Sequence, residues 1–208
     1  MKFKQNDQVS CVFHGDAAVE AGVFYESVNF AALKKLPVLF VCENNLYSVY
    51  SPLRVRQPKG RSIAKMVEGL GLSVRVGDGN DAAAVYEMVN EAITSIREGD
   101  GPRFLEFSTY RWLEHCGPSW DNDLGYRTEA EFLEWKAKEP IGRLELALRS
   151  DYEISASEIE LMDVDIEQEV SVAFNYADGS PFPEIACMYD DLYTDSLNSE
   201  TKPERLLD

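Results

Sequence analysis

Asp16 and Asn45 are the pair in this chain whose residue types and spacing could hold an ion. Asp16 stands just past an apolar run ending at Phe13, and Asn44-Asn45 just past a second run, Val38 to Cys42. In a parallel α/β sheet, ligands collect beyond the carboxyl ends of the strands. The 29 positions from Asp16 to Asn45 are what one helix and one strand consume, so the two side chains should converge. One carboxylate, one amide oxygen and a nearby backbone carbonyl leave room for two phosphate oxygens and a water. Octahedral oxygen coordination of that kind is what Mg²⁺ prefers. The same residues also have a plainer use, Asp16 as a helix cap and Asn45 in a turn. Spacing alone weighs the two readings evenly.

The elements that must position this pair follow from the hydrophobic pattern. Val9 to Phe13 reads as a short buried strand. Val23 to Leu36 is helical, with Val23, Val28, Ala31, Ala32 and Leu36 near one another at 3.6 spacing, and Val38 to Cys42 is a second buried strand. Continuous apolar runs imply parallel strands covered on both faces, and the connecting helix makes a right-handed βαβ unit. The pattern repeats: a helix over 61–70 stopped at Gly69 and Gly71, a strand over 72–76, a helix from an Asp81 cap to about Arg97, and a strand over 103–110. This predicts an α/β fold with a doubly wound, mainly parallel sheet.

Beyond Tyr110 the strands end. Residues 111–126 form a loop, longer than most connectors. Helices are expected over 128–138, 141–148 and from 155 to about 176. Thr128…Glu131 and Ser155…Glu158 both fit the capping box. The tail after Thr194 reads as polar and frayed. The expected division is therefore an α/β core over 1–110, a loop over 111–126, and an acidic helical extension of the same domain over 127–208.

Composition narrows the function classes. The net charge of −17 is uneven: residues 1–104 hold 12 Lys/Arg against 12 Asp/Glu, and residues 105–208 hold 8 against 25. An acidic half repels phosphate backbones, so no nucleic-acid partner is expected. Those charges suit a solvated helical surface, or steering towards a basic partner. Apolar runs are too short to span a bilayer and the N-terminus has no secretory apolar region, so the cytoplasm is the expected compartment. Cys11, Cys42, Cys116 and Cys187 show no C-x-x-C spacing and suggest neither disulfides nor zinc.

The stretch GDAAVEAGVFYESVNFAALKKLPVLFVCENNLYS, from Gly15 to Ser48, resembles the thiamine-diphosphate motif of the E1 α subunits of 2-oxo acid dehydrogenase complexes. That motif runs from Gly-Asp-Gly to Asn-Asn. The likeness continues through Val76-Gly77-Asp78-Gly79-Asn80-Asp81, Gly101-Pro102, Thr109-Tyr110-Arg111, Gly125-Tyr126-Arg127-Thr128 and Glu139-Pro140-Ile141 to the acidic C-terminal helix, covering essentially the whole chain.

The resemblance implies a partial thiamine-diphosphate-binding fold with thiamine diphosphate and Mg²⁺ as cofactors. Asp16 and Asn45 look like Mg²⁺ ligands, joined by the backbone carbonyl of Tyr47. Gly15, Ala17 and Ala18 would bring backbone to the diphosphate at the start of the helix. His115 falls at the family's active-site loop histidine, which implies a catalytic and cofactor-binding role near the diphosphate and the reacting substrate. The implied activity is decarboxylation of a 2-oxo acid and acyl transfer to a lipoyl-bearing acyltransferase. It would require an E1 β-type subunit in a hetero-oligomer.

Departures from the family pattern are specific. Ala17 replaces the motif's third residue, Gly. The loop reads Leu113-Glu114-His115-Cys116 where His-Gly-His-Ser is common, with Cys116 at a phosphorylatable Ser of some members. Gly77-Asp78-Gly79 mimics the motif, but Phe107 lies 29 positions beyond Asp78, so it reads as a turn before the Asp81 cap. Family members carry a sizeable segment before the motif, whereas fourteen residues precede Gly15 here. The chain is therefore expected to be a fragment, to work with a separate N-terminal E1 α segment, or to carry a reduced site. A non-catalytic remnant or assembly module, and an acetoin-cleaving E1, stand as alternatives.

Overall fold

The computed structural model describes residues 7–190. Its first unit runs to Ile154 and alternates strands with helices. These are β1 (Ser10–Gly15), α1 (Gly22–Lys34), β2 (Val38–Asn44), β3 (Tyr47–Ser48), β4 (Ser51–Pro52), α2 (Leu53–Arg56), α3 (Ile63–Gly69), β5 (Ser73–Asp78), α4 (Ala82–Arg97), β6 (Arg103–Ser108), α5 (Glu129–Lys136) and α6 (Pro140–Asp151). Strands β1, β2, β6 and β5 form a parallel sheet in that spatial order, and β3 with β4 makes a small antiparallel hairpin.

Alternation along β2 and β6 builds two cores, one on each face. Phe40, Cys42 and Phe104 pack with Phe24, Val28 and Ala31 of α1 and Ile63 and Val67 of α3. On the other face Leu39, Val41, Leu105 and Phe107 pack against Met88, Ala92 and Ile96 of α4. Helices therefore cover both faces, as a doubly wound sheet requires.

The buried reading of the first strand is corrected. β1 lies at the sheet edge, and Val12 and Phe13 are 41% and 66% exposed. An apolar run has the same appearance in a central and an edge strand, and only the strand order separates them. Val76 on the opposite edge strand is likewise exposed.

Helix ends follow local chemistry. Asp81 caps α4 by accepting from the Ala84 N–H, and Thr128 caps α5 by accepting from the Glu131 N–H. Only half of the expected capping box forms at α5, because Glu131 turns its carboxylate to the Tyr47 hydroxyl at 2.7 Å. The second unit begins at Ser155, where the box with Glu158 is complete and opens α7 (Ala156–Gly179). The tail after Thr194 lies outside the described residues. No helix among the described residues is long and apolar enough to cross a membrane.

Candidate metal site

Strand register fixes where β1 and β2 end relative to one another. Gly15 faces Glu43 in the last rung of the β1–β2 ladder, so Asp16, the first residue past β1, comes level with Asn44, the last residue of β2. The chain then turns sharply on the Asp16 side. Residues Asp16–Glu20 form a single 3₁₀ turn, and α1 starts only at Gly22 with Ala21 as its cap. The expected helix start at Ala17 and Ala18 is therefore this 3₁₀ turn. Ala17 has no positive φ, so its Cβ costs no backbone strain where the motif carries Gly.

Asp16 is 1% exposed and caps neither the turn nor α1. Its Oδ2 pairs with the Arg56 guanidinium, while Oδ1 is buried with no hydrogen-bond partner among the described residues. A buried carboxylate oxygen left unpaired costs about 1–3 kcal/mol or more, so the fold tolerates it only where something else compensates. Arg56 also donates to Glu20 at 2.6 Å and to the Ser51 carbonyl at 3.0 Å. Gln57 adds a bond to Glu20 at 3.1 Å.

On the neighbouring strand the two asparagines divide their work. Asn44 donates to Glu106 Oε1 at 2.8 Å, and its own oxygen accepts from the Leu46 N–H at 3.2 Å. Asn45 Oδ1 accepts from the Tyr47 N–H at 3.0 Å, the turn role foreseen for it. An amide oxygen has a second lone pair, so this bond leaves Asn45 able to ligate. Leu46 and Val49 both hold positive φ, at 70° and 53°, unusual for non-glycine residues and for Val above all. The resulting hairpin packs Tyr47 beside the Asp16–Glu20 turn. Asp16, Asn45 and the Tyr47 backbone thus gather at one end of the sheet.

Glu106 is a buried acid in the middle of the apolar β6. Its second oxygen accepts from the Ala64 N–H at 3.1 Å, tying Asn44 to the first turn of α3. Burial, then the charge of Glu106, pushes the Cys42 thiol upward, which leaves it an inert packing residue.

His115 is placed differently. It is exposed in a loop closed by the Glu114 N–H on the Ser119 carbonyl at 2.9 Å, and among the described residues it makes no hydrogen bond or ion pair. The loop's base is firmly held. Arg111 donates to Leu113 O at 2.9 Å, to Val49 O at 3.1 Å and to the Tyr126 hydroxyl at 2.8 Å. Arg127 pairs with buried Asp121 and donates to the carbonyls of Arg111 and Trp112 at 2.6 and 3.1 Å. The network joins the His115 loop to the hairpin that follows Asn45, although among the described residues His115 itself makes no hydrogen bond to Asp16 or Asn45.

No group of three His, Cys, Asp or Glu side chains suited to a metal exists among the described residues. Any cation here would rest on one carboxylate, one amide and a carbonyl. That all-oxygen set is right for Mg²⁺ and poor for zinc. The unpartnered Asp16 Oδ1 fits it.

The remaining stretch of Gly77-Asp78-Gly79 is structural. Asp78 Oδ1 accepts from the Asn80 N–H at 2.9 Å, and Asn80 bonds Thr109 and the Lys138 carbonyl at 2.9 and 3.0 Å. Arg143 adds an ion pair to Asp78 at 2.8 Å. Burial opposes ionisation of Asp78, but the Arg143 and backbone hydrogen bonds outweigh it and hold the carboxyl below its usual range.

Residues 1–186 match the family described as dehydrogenase E1 component. Among curated relatives, the chain is 32% identical over 189 residues to pyruvate dehydrogenase E1 component subunit alpha-3, chloroplastic, of Arabidopsis thaliana. That match covers 91% of this chain and 43% of the relative. It is 31% identical to the pyruvate dehydrogenase E1 component subunit alpha of Staphylococcus aureus strain Mu50, covering 92% and 52%. The Rhizobium meliloti subunit alpha is 30% identical, covering 92% and 54%. The chain spans about half the length of the curated relatives it matches.

Proposed function

Because the chain belongs to the dehydrogenase E1 component family, we propose that it holds the Mg²⁺-diphosphate end of thiamine diphosphate in an E1 α-type subunit acting on a 2-oxo acid. Pyruvate is the first candidate substrate, from the names of its relatives. The observation that carries this reading is the buried, half-unpaired Asp16, set level with Asn44-Asn45 by the β1–β2 register.

Asp16, Asn45 and the Tyr47 carbonyl would hold the cation, and the backbone of Gly15, Ala17 and Ala18 would lie against the diphosphate. When bound, the cofactor supplies the electron sink for decarboxylation. The chain's own residues fix where that happens. Glu106 locks Asn44, and the Asn45 turn aims the Tyr47 backbone. The network of Arg111, Asp121 and Arg127 fixes the ends of the loop that presents His115, which can donate or accept a proton there. An E1 β-type subunit completes the site, and a lipoyl-bearing acyltransferase receives the acyl group. A separate N-terminal E1 α segment belongs to the same proposal. Four free cysteines suit a reducing compartment, the cytoplasm.

A second reading is favoured by one observation. Arg56 already neutralises Asp16, as it would in a non-catalytic remnant that serves assembly. Cofactor retention separates the two. In the assembly purified with its partners, Asp16→Asn should abolish Mg²⁺-dependent retention of thiamine diphosphate, with the folded content unchanged. Equal retention by the variant would remove Asp16 from the site. Turnover in His115→Ala should fall much further than cofactor binding, and unchanged turnover would make His115 an ordinary loop residue.

A further inference from the structure

The cation site proposed above contains a cation of its own. Arg56 is the last residue of α2, forty positions from Asp16, yet all three of its nitrogens are engaged at the site. Nη2 meets Asp16 Oδ2, Nη1 meets Glu20 Oε1 at 2.6 Å, and Nε meets the Ser51 carbonyl at 3.0 Å. The Arg56 side chain is 11% exposed, so this is a largely desolvated contact and not a surface pair.

A guanidinium and a divalent ion cannot share one carboxylate without repulsion, because both are positive and the surroundings screen poorly. The partners of Arg56 differ in kind. Asp16 is buried and its second oxygen has no hydrogen-bond partner among the described residues, whereas Glu20 lies further out and is also held by Gln57. If the guanidinium leaves Asp16, Glu20 still retains it at the mouth of the site. The bond to Ser51 sits in the hairpin after Asn45, so movement of Arg56 reaches the segment that carries the Tyr47 carbonyl.

We propose that Arg56 is a positioning residue for the metal ligand Asp16. It is a displaceable counter-cation that keeps the buried carboxylate paired until a divalent cation arrives, and its release transmits metal occupancy to residues 51–57. This rests on the reading of Asp16 as a cation ligand. It adds that binding is a cation exchange, so the chain's affinity for metal is set partly by Arg56.

The test uses the full chain with Mn²⁺ alone as probe, free Mn²⁺ being read by electron paramagnetic resonance. Arg56→Gln should bind Mn²⁺ at least fivefold more tightly than the wild type, because no resident cation has to be displaced. Arg56→Lys keeps the charge without the fork. It should show a smaller gain, and it decides the matter if the Gln variant does not fold. In the wild type, Mg²⁺ should speed amide exchange over 53–57 at least threefold, a readout that needs no variant. Mn²⁺ binding that is lost in Asp16→Asn but equal or weaker in the Arg56 variants, with unchanged exchange, would overturn the counter-cation role and leave the site standing. Absence of Mn²⁺ binding in every chain, or binding indifferent to Asp16→Asn, would overturn both.

Discussion

Replacing Asp121 by Leu should be among the most damaging single changes outside the two cores. Asp121 and Arg127 have side chains 2% and 1% exposed, so the pair is fully desolvated. Asp121 also accepts from the Tyr126 hydroxyl at 2.6 Å and lies 3.6 Å from Arg111. Removing one partner of a buried ion pair typically costs about 3–5 kcal/mol, because the other charge stays buried and unpaired. Arg127 would keep two backbone carbonyls and its place over the rings of Tyr110, Tyr126 and Phe132, at 5.3, 5.4 and 5.8 Å. Those contacts argue for the lower end, about 3 kcal/mol. In a chain of this size that is roughly 6–12 °C in Tm. The assay is urea unfolding followed by tryptophan emission. Trp112, Trp120 and Trp135 all lie in the first unit, and Trp112 and Trp120 pack edge-on against Phe132. The double variant Asp121→Leu, Arg127→Met should recover at least half of the loss, since the fully buried Arg127 charge is then no longer stranded and only the more exposed Arg111 loses its carboxylate. A single-variant loss below about 1 kcal/mol, or simple additivity in the double variant, would refute the argument.

Three further outcomes follow from local geometry. Gly79→Ala should destabilise by about 2 kcal/mol in the same unfolding assay. A Cβ there would meet the Ser108 carbonyl oxygen at 2.9 Å, and that oxygen already accepts from the Gly79 N–H at 2.8 Å. Burial pushes the Tyr110 phenol up to about 12. Below the ordinary phenol value of about 10 both states are neutral. Above it the unfolded chain ionises while folded Tyr110 does not, so stability falls between pH 10 and about 12. Tyr110→Phe should flatten that alkaline limb, with a residue left by Tyr47 and Tyr126, whose phenols burial also raises. Ser155→Ala should cost the start of α7 about 1 kcal/mol, seen as lost helical ellipticity at 222 nm.

The sheet was legible because its central strands are nearly continuous apolar runs, and β2 and β6 indeed carry both cores. Edge status was not legible, since the Val9 to Phe13 run gives no sign of how many neighbours the strand has. The Asp16–Asn45 pairing was readable as spacing, and the β1–β2 register, whose last rung is Gly15 with Glu43, sets the two residues just past that rung. That same spacing could not decide whether Asp16 caps a helix. The 3₁₀ turn answers that, by moving the start of α1 to Gly22. The place of Arg56 was not legible, because nothing local links residue 56 to residue 16. Glu106 did leave a signal, a lone carboxylate inside the apolar run Phe104-Leu105-Glu106-Phe107. An acid in that position needs buried partners, and Asn44 and Ala64 supply them. The Arg111, Asp121 and Arg127 network is assembled from loop residues whose partners are mostly backbone carbonyls, for which side-chain patterning carries no information.

The most direct test of the account is to purify the tagged chain from its own host, identify what accompanies it by mass spectrometry, and extract the preparation for thiamine diphosphate. The account predicts an E1 β-type partner together with bound cofactor, and loss of the cofactor but not the partner in Asp16→Asn. A chain recovered without partner and without thiamine diphosphate would contradict it.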